Sequence, residues 1–395
     1  MNRLVYVMLT FLLLGIGSSC VYDYDPKDDN IQGLENPLVV IDGDIIVGGI
    51  TRVSIGLTQP LSGDEEDLAP LGAAVWVESE DGELLSGVML EDKVNEFEIN
   101  TEMLDIYGRY RLGVSVPGKG EYISAFKGVL VAPAIDSVSW SVARDSSYVR
   151  IEVTTHDSNT DENLYCKWIY SEDWESNSRF HAELDYVAKT RSMVKLDSEE
   201  MKKRSICFSK AESSGTYIAN TEKLKENLIY KSVVKEITNT DTRLTGLYAI
   251  NVTQKALDRE AYIYWDNVKN NSNGTGGIFA PQPSNVRGNI TCTTNEREVV
   301  LGYVNVTTVT HKMLFVDWEK ERIFFTDCKE QLIPQFLPPA KPDGEPTPLW
   351  PAYYSEGYRP IRFNGDSTDE VYWAMEKCTD CSVYSNSSRP DFWPR

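Results

Sequence analysis

Hydrophobic and polar residues alternate over many short stretches of the chain, which is the pattern of β-strands with one buried face. In "RYRLGVSV", Tyr110 and every second residue up to Val116 are apolar or aromatic, and residues 117–120 then turn the chain into a partner strand. Asp81-Gly82 lies inside a similar stretch, and this dipeptide favours the positive φ angles of a tight hairpin. Short strands separated by Gly, Pro and Asp turns predict a β-sandwich over residues 37–132, of immunoglobulin-like or carboxypeptidase-regulatory-like type.

A second β-rich domain is predicted at residues 133–330. In "SYVRIEVTTH", Val149, Ile151 and Val153 share one face of an expected strand. Residues 185–245 are less regular, and we expect strands there with a helical turn. The predicted fold class is therefore mainly β.

One helix is predicted within the second domain, at about residues 258–270 in "LDREAYIYWDNVKNN". Asp258 can cap the free amides of the first turn. Leu257 and Tyr262 occupy the two positions of a hydrophobic staple. Further apolar side chains, including Trp265, recur at helical spacing on one face, so this helix should pack against a sandwich.

The C-terminal region, residues 331–395, is rich in proline. Seven prolines fall between Pro334 and Pro351, and proline interrupts both helices and central strands. We therefore expect this proline run to be an extended surface segment and not a core element, within a C-terminal region that is stapled by disulfide bonds.

The N-terminus has the proportions of a bacterial lipoprotein signal peptide, residues 1–19. A basic start precedes the apolar run of residues 4–16, which is too short to span a bilayer. Small residues follow and end at Cys20, an arrangement that resembles a lipobox, although Gly17 stands where leucine is usual. Cys20 is thus the predicted lipidation site, where acyl chains such as palmitate would anchor the protein. The alternative is an ordinary secretory signal with an incidental cysteine.

Residues 20–36 are predicted to form an acidic tether. They combine several Asp and Glu residues with Pro, Asn and Gly and offer too little apolar surface to fold. Acidic residues directly after a lipidated cysteine resemble the signal that sends Bacteroidota lipoproteins to the cell surface, whereas a plain solvated linker is the alternative. The expected location is the outer membrane, lipid-anchored and facing the cell exterior.

The net charge of −21 and the pI near 4.6 exclude a nucleic-acid-binding role, which requires clustered Lys and Arg. The hydrophobic fraction of 41% is that of a folded protein. No second long apolar run follows the signal, so no transmembrane helix is predicted.

Six cysteines remain after Cys20, and an even number in an exported chain indicates disulfides. Proximity in sequence favours the pairs Cys166–Cys207, Cys378–Cys381 and Cys292–Cys328. The Cys-x-x-Cys in "EKCTDCSV" could alternatively be redox-active or half of a zinc site. Zinc requires four ligands, and no second such motif exists, so we interpret the pair as a structural staple.

The sequence contains no recognisable catalytic motif. Its three histidines are isolated, and it has neither an HExxH zinc motif nor a GxSxG nucleophile elbow. We therefore expect a non-enzymatic protein without cofactor or metal.

The chain is rich in Trp and Tyr, which could stack against a ligand or fill the cores. We expect Trp168, Trp174 and Trp373 to be core residues, and the ligand, whether a small molecule, a peptide or a glycan, is not identified by the sequence. Ser137 and Ser367 lie in three-residue motifs that resemble Bacteroidota O-glycosylation sites, although motifs this short also occur by chance.

Several segments together resemble the Bacteroidota outer-membrane lipoproteins of domain of unknown function 4249 (DUF4249). They are the lipoprotein signal, "PLVVIDGDI", "AYIYWDNVKNN", "GGIFAPQPSNVRGNI", "VVLGYVNV" and "CTDCSVYSNSSRPDFWP". In that family the gene commonly lies beside one for a TonB-dependent receptor of the starch-utilisation type. The resemblance implies an accessory to such a receptor in nutrient capture or uptake, and it carries no catalytic residues. A structural or adhesive envelope protein that binds other proteins is the alternative.

Overall fold

The computed structural model describes residues 37–59, 71–158, 162–273, 287–295, 297–323, 327–339 and 343–394. The predicted signal peptide, Cys20 and the acidic tether lie outside these ranges. Of the chain, 47% is in strands and 12% in helices, which confirms the mainly β prediction.

The first sandwich packs two antiparallel sheets around an aliphatic core. One sheet has the strand order β1-β3-β7-β6, and the other has β9-β8-β4-β5 with β10 beside β8. Buried and exposed positions alternate along the long strands, as the sequence predicts. Its strands are β1 (Val39–Asp42), β2 (Ile45–Ile46), β3 (Ile50–Leu57), β4 (Ala74–Ser79), β5 (Leu84–Ser86), β6 (Val88–Met89), β7 (Glu96–Asn100), β8 (Arg109–Val116), β9 (Gly120–Ser124) and β10 (Lys127–Gly128).

Both predicted hairpins of this sandwich are present. Gly82 has φ +88° in the turn between β4 and β5, which explains why glycine stands there. Gly118 has φ +76° in the turn between β8 and β9, and Val116 lies opposite Gly120. Local turn chemistry therefore sets the register of these strand pairs.

The second sandwich has the strand arrangement of an immunoglobulin-like fold. Its first two strands and β18 form one sheet, in the order β11-β12-β18, and the other sheet has the order β16-β13-β19-β22 with β17 beside β13. Val149, Ile151 and Val153 lie in the core between the sheets, as expected. The strands are β11 (Ile135–Val142), β12 (Tyr148–His156), β13 (Tyr165–Asn177), β16 (Ile206–Glu212), β17 (Tyr217–Asn220), β18 (Leu228–Thr238), β19 (Leu247–Ala256) and β22 (Val309–Asp317).

The chain returns to the first sandwich before β22 completes the second. Strand β20 (Ile290–Cys292) pairs with β9, and β21 (Val306–Thr307) pairs in parallel with β2. The sequence placed residues 133–330 in one domain, whereas the structure shares them between both sandwiches. The local sequence does not indicate that β2 pairs in parallel with β21, because the two strands lie far apart in the chain.

Helix α2 (Arg259–Asn273) matches the predicted helix. The Ala261 amide donates to the Asp258 carboxylate at 2.7 Å, which is the expected cap. Leu257 and Tyr262 belong to the same apolar cluster as the helix face that carries Trp265.

A third, smaller unit joins the proline-rich C-terminal region to an insertion between β13 and β16. Ile333, Trp350 and Trp373 are buried with Leu184 and Tyr186 of the insertion. The prediction of an extended segment without a core is wrong, because the insertion supplies the other half of the core. The elements are β14 (Leu184–Val187), β15 (Ser192–Lys195), α1 (Ser198–Ser205), α3 (Trp318–Glu321), β23 (Gln331–Pro334), β24 (Phe336–Leu337), β25 (Thr347–Pro348), α4 (Trp350–Ser355), β26 (Tyr358–Phe363) and β27 (Glu370–Met375), with α3 linking β22 to this unit.

Two disulfides hold this unit, and one of them joins it to the second sandwich. Cys207 on β16 pairs with Cys381, and Cys328 pairs with Cys378. The predicted pairs are wrong, because cysteines that are close in the sequence are not necessarily close in the folded chain. The two cysteines of the Cys-x-x-Cys motif lie in separate turns and bond to different partners. Cys166 and Cys292 remain buried thiols.

Candidate functional site

A groove of about 610 Å³ opens at one end of the first sandwich. Its walls are the turn between β4 and β5 and the loop of residues 101–108 between β7 and β8. Met103 and Tyr107 line it together with the carboxylates of Glu80, Glu83 and Asp105.

The base of the loop is held by a buried threonine. The Thr101 hydroxyl lies 2.7 Å from the Ile46 carbonyl and 2.9 Å from the Gly49 carbonyl. The Thr51 hydroxyl lies 2.9 Å from the Thr101 hydroxyl, and both threonines are fully buried. These hydrogen bonds tie the loop to the turn before β3, so its conformation is determined by the sandwich.

The tip of the loop is organised by Asp105. Its carboxylate accepts the Tyr107 amide at 3.0 Å, and its backbone carbonyl accepts the Tyr110 hydroxyl at 2.8 Å. Burial raises the pKa of Tyr110, which keeps this donor protonated. These hydrogen bonds therefore hold the backbone of the loop in a defined conformation.

Two large apolar side chains of this ordered loop point into solvent. Met103 is 95% exposed and Tyr107 is 91% exposed. This apolar pair on an ordered loop faces water and contributes nothing to the core. Hydrophobic surfaces of this kind mark recognition sites. Sequence reasoning missed this loop, although "TEMLDIYG" interrupts the alternating pattern with apolar residues between two strands.

The rim of the groove is acidic. Glu80, Asp81 and Glu83 come from the turn between β4 and β5, and Asp105 comes from the opposite wall. Arg109 is the one basic residue among the residues that line the groove, and its Nε lies 3.2 Å from the Glu80 carboxylate. The remaining carboxylates leave a negative excess beside the exposed Met103 and Tyr107 side chains, which suits a ligand with cationic and apolar groups.

The junction between the two sandwiches is a second polar cluster, and it is structural. The Lys255 ammonium lies 2.9 Å from the buried Asp44 carboxylate. Asn305 donates its backbone amide to Asp44 and its side-chain amide to the Ala256 carbonyl. Burial alone would raise the pKa of Asp44, but the Lys255 and Lys167 ammonium groups hold it below its ordinary value. This network joins the first sandwich to β19 of the second.

Among the described residues, the structure brings none of the candidate lipidation, disulfide or glycosylation residues into the groove. Ser137 lies on β11 opposite Thr154, and Ser367 lies in the turn between β26 and β27. Cys20 lies outside the described residues. The predicted burial of Trp168, Trp174 and Trp373 is confirmed.

The histidines and acidic residues do not assemble a metal centre within the described ranges, where no group of three or more metal-binding side chains is found. His156 contacts Asp136, His181 contacts Ser205 and His311 contacts Thr253, each in a different place. None of the helices in the described part of the chain is long and apolar enough to cross a membrane.

The chain matches a protein-family model. The model of the family "Domain of unknown function (DUF4249)" covers residues 21–313, which include the first sandwich, helix α2 and the second sandwich except the end of β22. The chain belongs to the DUF4249 family. No characterised protein matches this DUF4249 chain at a significant level.

Two solved structures share a distant similarity with it. One is a DUF4785 family protein from Legionella pneumophila, at 10% identity and a TM-score of 0.17, covering 55% of this chain and 52% of that chain. The other is the FN1–FN3 domains of chicken CNTN1, at 14% identity and a TM-score of 0.17, covering 56% of this chain and 62% of that chain. The chain thus matches between half and two thirds of the length of each structure, and similarities this low say nothing about ligands or activity.

Proposed function

We propose that this DUF4249 protein is a non-enzymatic, lipid-anchored protein of the outer cell surface. It would work beside a TonB-dependent receptor of the starch-utilisation type in nutrient capture or uptake. The lipobox-like sequence at Cys20 and the family resemblance support the location and the partner class.

The structural observation that carries the proposal is the exposed Met103–Tyr107 pair on a loop whose backbone is held by buried hydrogen bonds. Such a loop loses little backbone conformational entropy when a partner covers it, and this favours binding. The joined sandwiches present this surface as part of one body, which suits a binding protein that stands beside a receptor.

Anchoring is tested by replacing the lipidated cysteine. Cys20→Ala should move the protein from the outer-membrane fraction to the soluble fraction, and added protease should cleave the wild-type protein on intact cells. Wild-type protein that is soluble, or that is protected from protease in intact cells, would contradict the surface assignment.

The receptor partnership is tested by co-purification. Wild-type protein, crosslinked in cells and extracted in detergent, should carry a β-barrel receptor in a fixed ratio. Recovery of the protein without a barrel would overturn this part of the proposal. Recovery with other envelope proteins in place of a barrel would favour the structural or adhesive alternative.

A further inference from the structure

We propose that the groove between the β4–β5 turn and the loop of residues 101–108 docks a basic peptide segment of a partner protein, with an apolar side chain of that segment packed on Met103 and Tyr107. The inference rests on the proposed function and specifies the chemistry of the partner at this site.

Met103 and Tyr107 offer two different kinds of apolar contact to a partner. Met103 offers an unbranched, polarisable side chain that can follow the shape of different apolar groups. Tyr107 offers a rigid ring with few rotatable bonds, the type of residue that anchors protein interfaces. Both are more than nine-tenths exposed, so covering them removes apolar surface from water without disturbing the fold.

The charged side chains of the groove are mostly carboxylates. Glu80, Asp81 and Glu83 line one wall, and Asp105 lies on the loop that carries the apolar pair, so both walls of the groove supply carboxylates. Arg109 shows that a guanidinium can pair with a carboxylate of this groove, since its Nε lies 3.2 Å from the Glu80 carboxylate. A partner segment with Lys or Arg beside an apolar residue would meet the carboxylates that Arg109 leaves unpaired.

The same charge pattern argues against acidic and neutral occupants. The whole chain carries a formal charge of −21, so an acidic segment would be repelled both at long range and at the rim. A neutral ligand would leave the rim carboxylates without compensation for any water they lose. Association of a basic segment should be steered electrostatically and should weaken as salt is added.

The test uses the detergent-solubilised, lipidated protein and three synthetic nine-residue peptides. In the first, Lys and Arg alternate with Leu and Tyr; in the second, Gln replaces every basic residue; in the third, Glu replaces them. Fluorescence anisotropy of labelled peptides measures binding. The basic peptide should bind at least tenfold more tightly than either counterpart, and its affinity should fall at least fivefold between about 0.05 and 0.5 M salt. Equal binding of the three peptides, or no binding of the basic peptide, would overturn the inference.

Variants locate the binding. The double variant Met103→Ser with Tyr107→Ser should weaken binding of the basic peptide at least fivefold, and Glu83→Gln should weaken it and reduce its salt dependence. Tyr230→Ser with Met313→Ser is the matched control, because these side chains are also exposed but lie on the second sandwich. Equal losses in both double variants would place the binding outside the groove and refute the docking site.

The outcomes also separate this inference from the proposed function. A protein that co-purifies with a barrel receptor but does not prefer the basic peptide refutes the inference alone. A protein whose groove binds the basic peptide but that has no barrel partner refutes the receptor role alone.

Discussion

The Lys167 ammonium lies 3.1 Å from the centre of the Trp265 ring, where β13 of the second sandwich meets helix α2. The ring face attracts the cation, and the carboxylates of Asp44 and Asp42 in the first sandwich also favour its charged form, Asp44 more strongly. Asp44 also pairs with Lys255, so two ammonium groups interact with this buried carboxylate. The junction between the two sandwiches thus contains the Lys167 ammonium, whose charge is only partly neutralised.

Lys167 should make stability depend on pH in the alkaline range. Burial lowers the pKa of Lys167 from 10.5 to about 8. Between these values the unfolded chain holds a proton that the folded protein has lost, so the free energy of unfolding rises with pH, by up to about 1.4 kcal/mol per unit.

Lys167→Met is the comparison for this prediction. The difference in unfolding free energy between wild type and variant, measured by urea titration at about pH 7 and pH 9.5, should shift in favour of the wild type by roughly 2 kcal/mol. A constant difference across this range would show that Lys167 keeps its ordinary pKa.

His156 should titrate above its ordinary value of 6.5. Its Nδ1 lies 2.7 Å from the Asp136 carboxylate, and this hydrogen bond raises the pKa of the imidazole. The resulting stabilisation is fully present below pH 6.5 and is lost as pH rises through the raised pKa. NMR titration should show the pKa of His156 falling in Asp136→Asn, with His156→Gln used to assign the signal. The same pKa in wild type and Asp136→Asn would rule out the contact in solution.

Disulfide mapping should recover two bonds and two free thiols. Peptides joined through Cys207–Cys381 and Cys328–Cys378 are expected from unreduced protein. Burial raises the pKa of the Cys166 thiol, so Cys166 should react with iodoacetamide only after unfolding. A peptide joined through Cys378 and Cys381 would contradict this structure.

Removing the longer staple should destabilise the third unit. Cys207→Ser with Cys381→Ser is expected to cost about 2–5 kcal/mol, since the bond closes a loop across 174 positions. Cys166→Ser is the control for serine substitution, because it breaks no disulfide. An equal cost in both variants would mean that the bond contributes nothing beyond side-chain burial.

Glu172 should be critical for the second sandwich. Its carboxylate is 1% exposed and accepts Arg243 Nε at 3.0 Å and the Tyr248 hydroxyl at 2.9 Å. Glu172→Gln keeps the shape but removes the buried negative charge that Arg243 and Lys235 share, so that Arg243 keeps only its pair with Asp241 at 2.8 Å. The expected cost is about 3–5 kcal/mol in urea titration. Glu236→Gln breaks an exposed pair with Arg150 and should cost less than about 1 kcal/mol. Similar costs at both positions would show that burial does not govern these pairs.

Much of the local structure could be predicted because its determinants are neighbours in the chain. Gly82 and Gly118 set their hairpins through φ angles that glycine adopts without strain. Asp258 caps α2 from the adjacent residue, and the core strands of both sandwiches follow a two-residue period. These features depend on local backbone conformation and on periodicity, and both can be read from the order of neighbouring residues.

The site and the long-range pairings could not be predicted in this way. Met103 and Tyr107 resemble core residues in the sequence, and their exposure follows from Thr101 holding the loop away from the core. Trp373 lies in a region whose prolines indicate no packed structure, yet the insertion that carries Leu184 covers it. In both cases the outcome depends on residues that are distant in the chain.

By itself, the sequence determined the mainly β character, the hairpins, helix α2 and the even count of cysteines after Cys20. Only the tertiary structure decided that Cys207 bonds Cys381, that β20 joins the first sandwich and that an acidic, apolar groove opens beside Tyr107. The physical reason is that hydrophobic burial and charge pairing are not restricted to residues that are neighbours in the chain. They select partners by proximity in the folded state, which the order of residues encodes only through the complete fold.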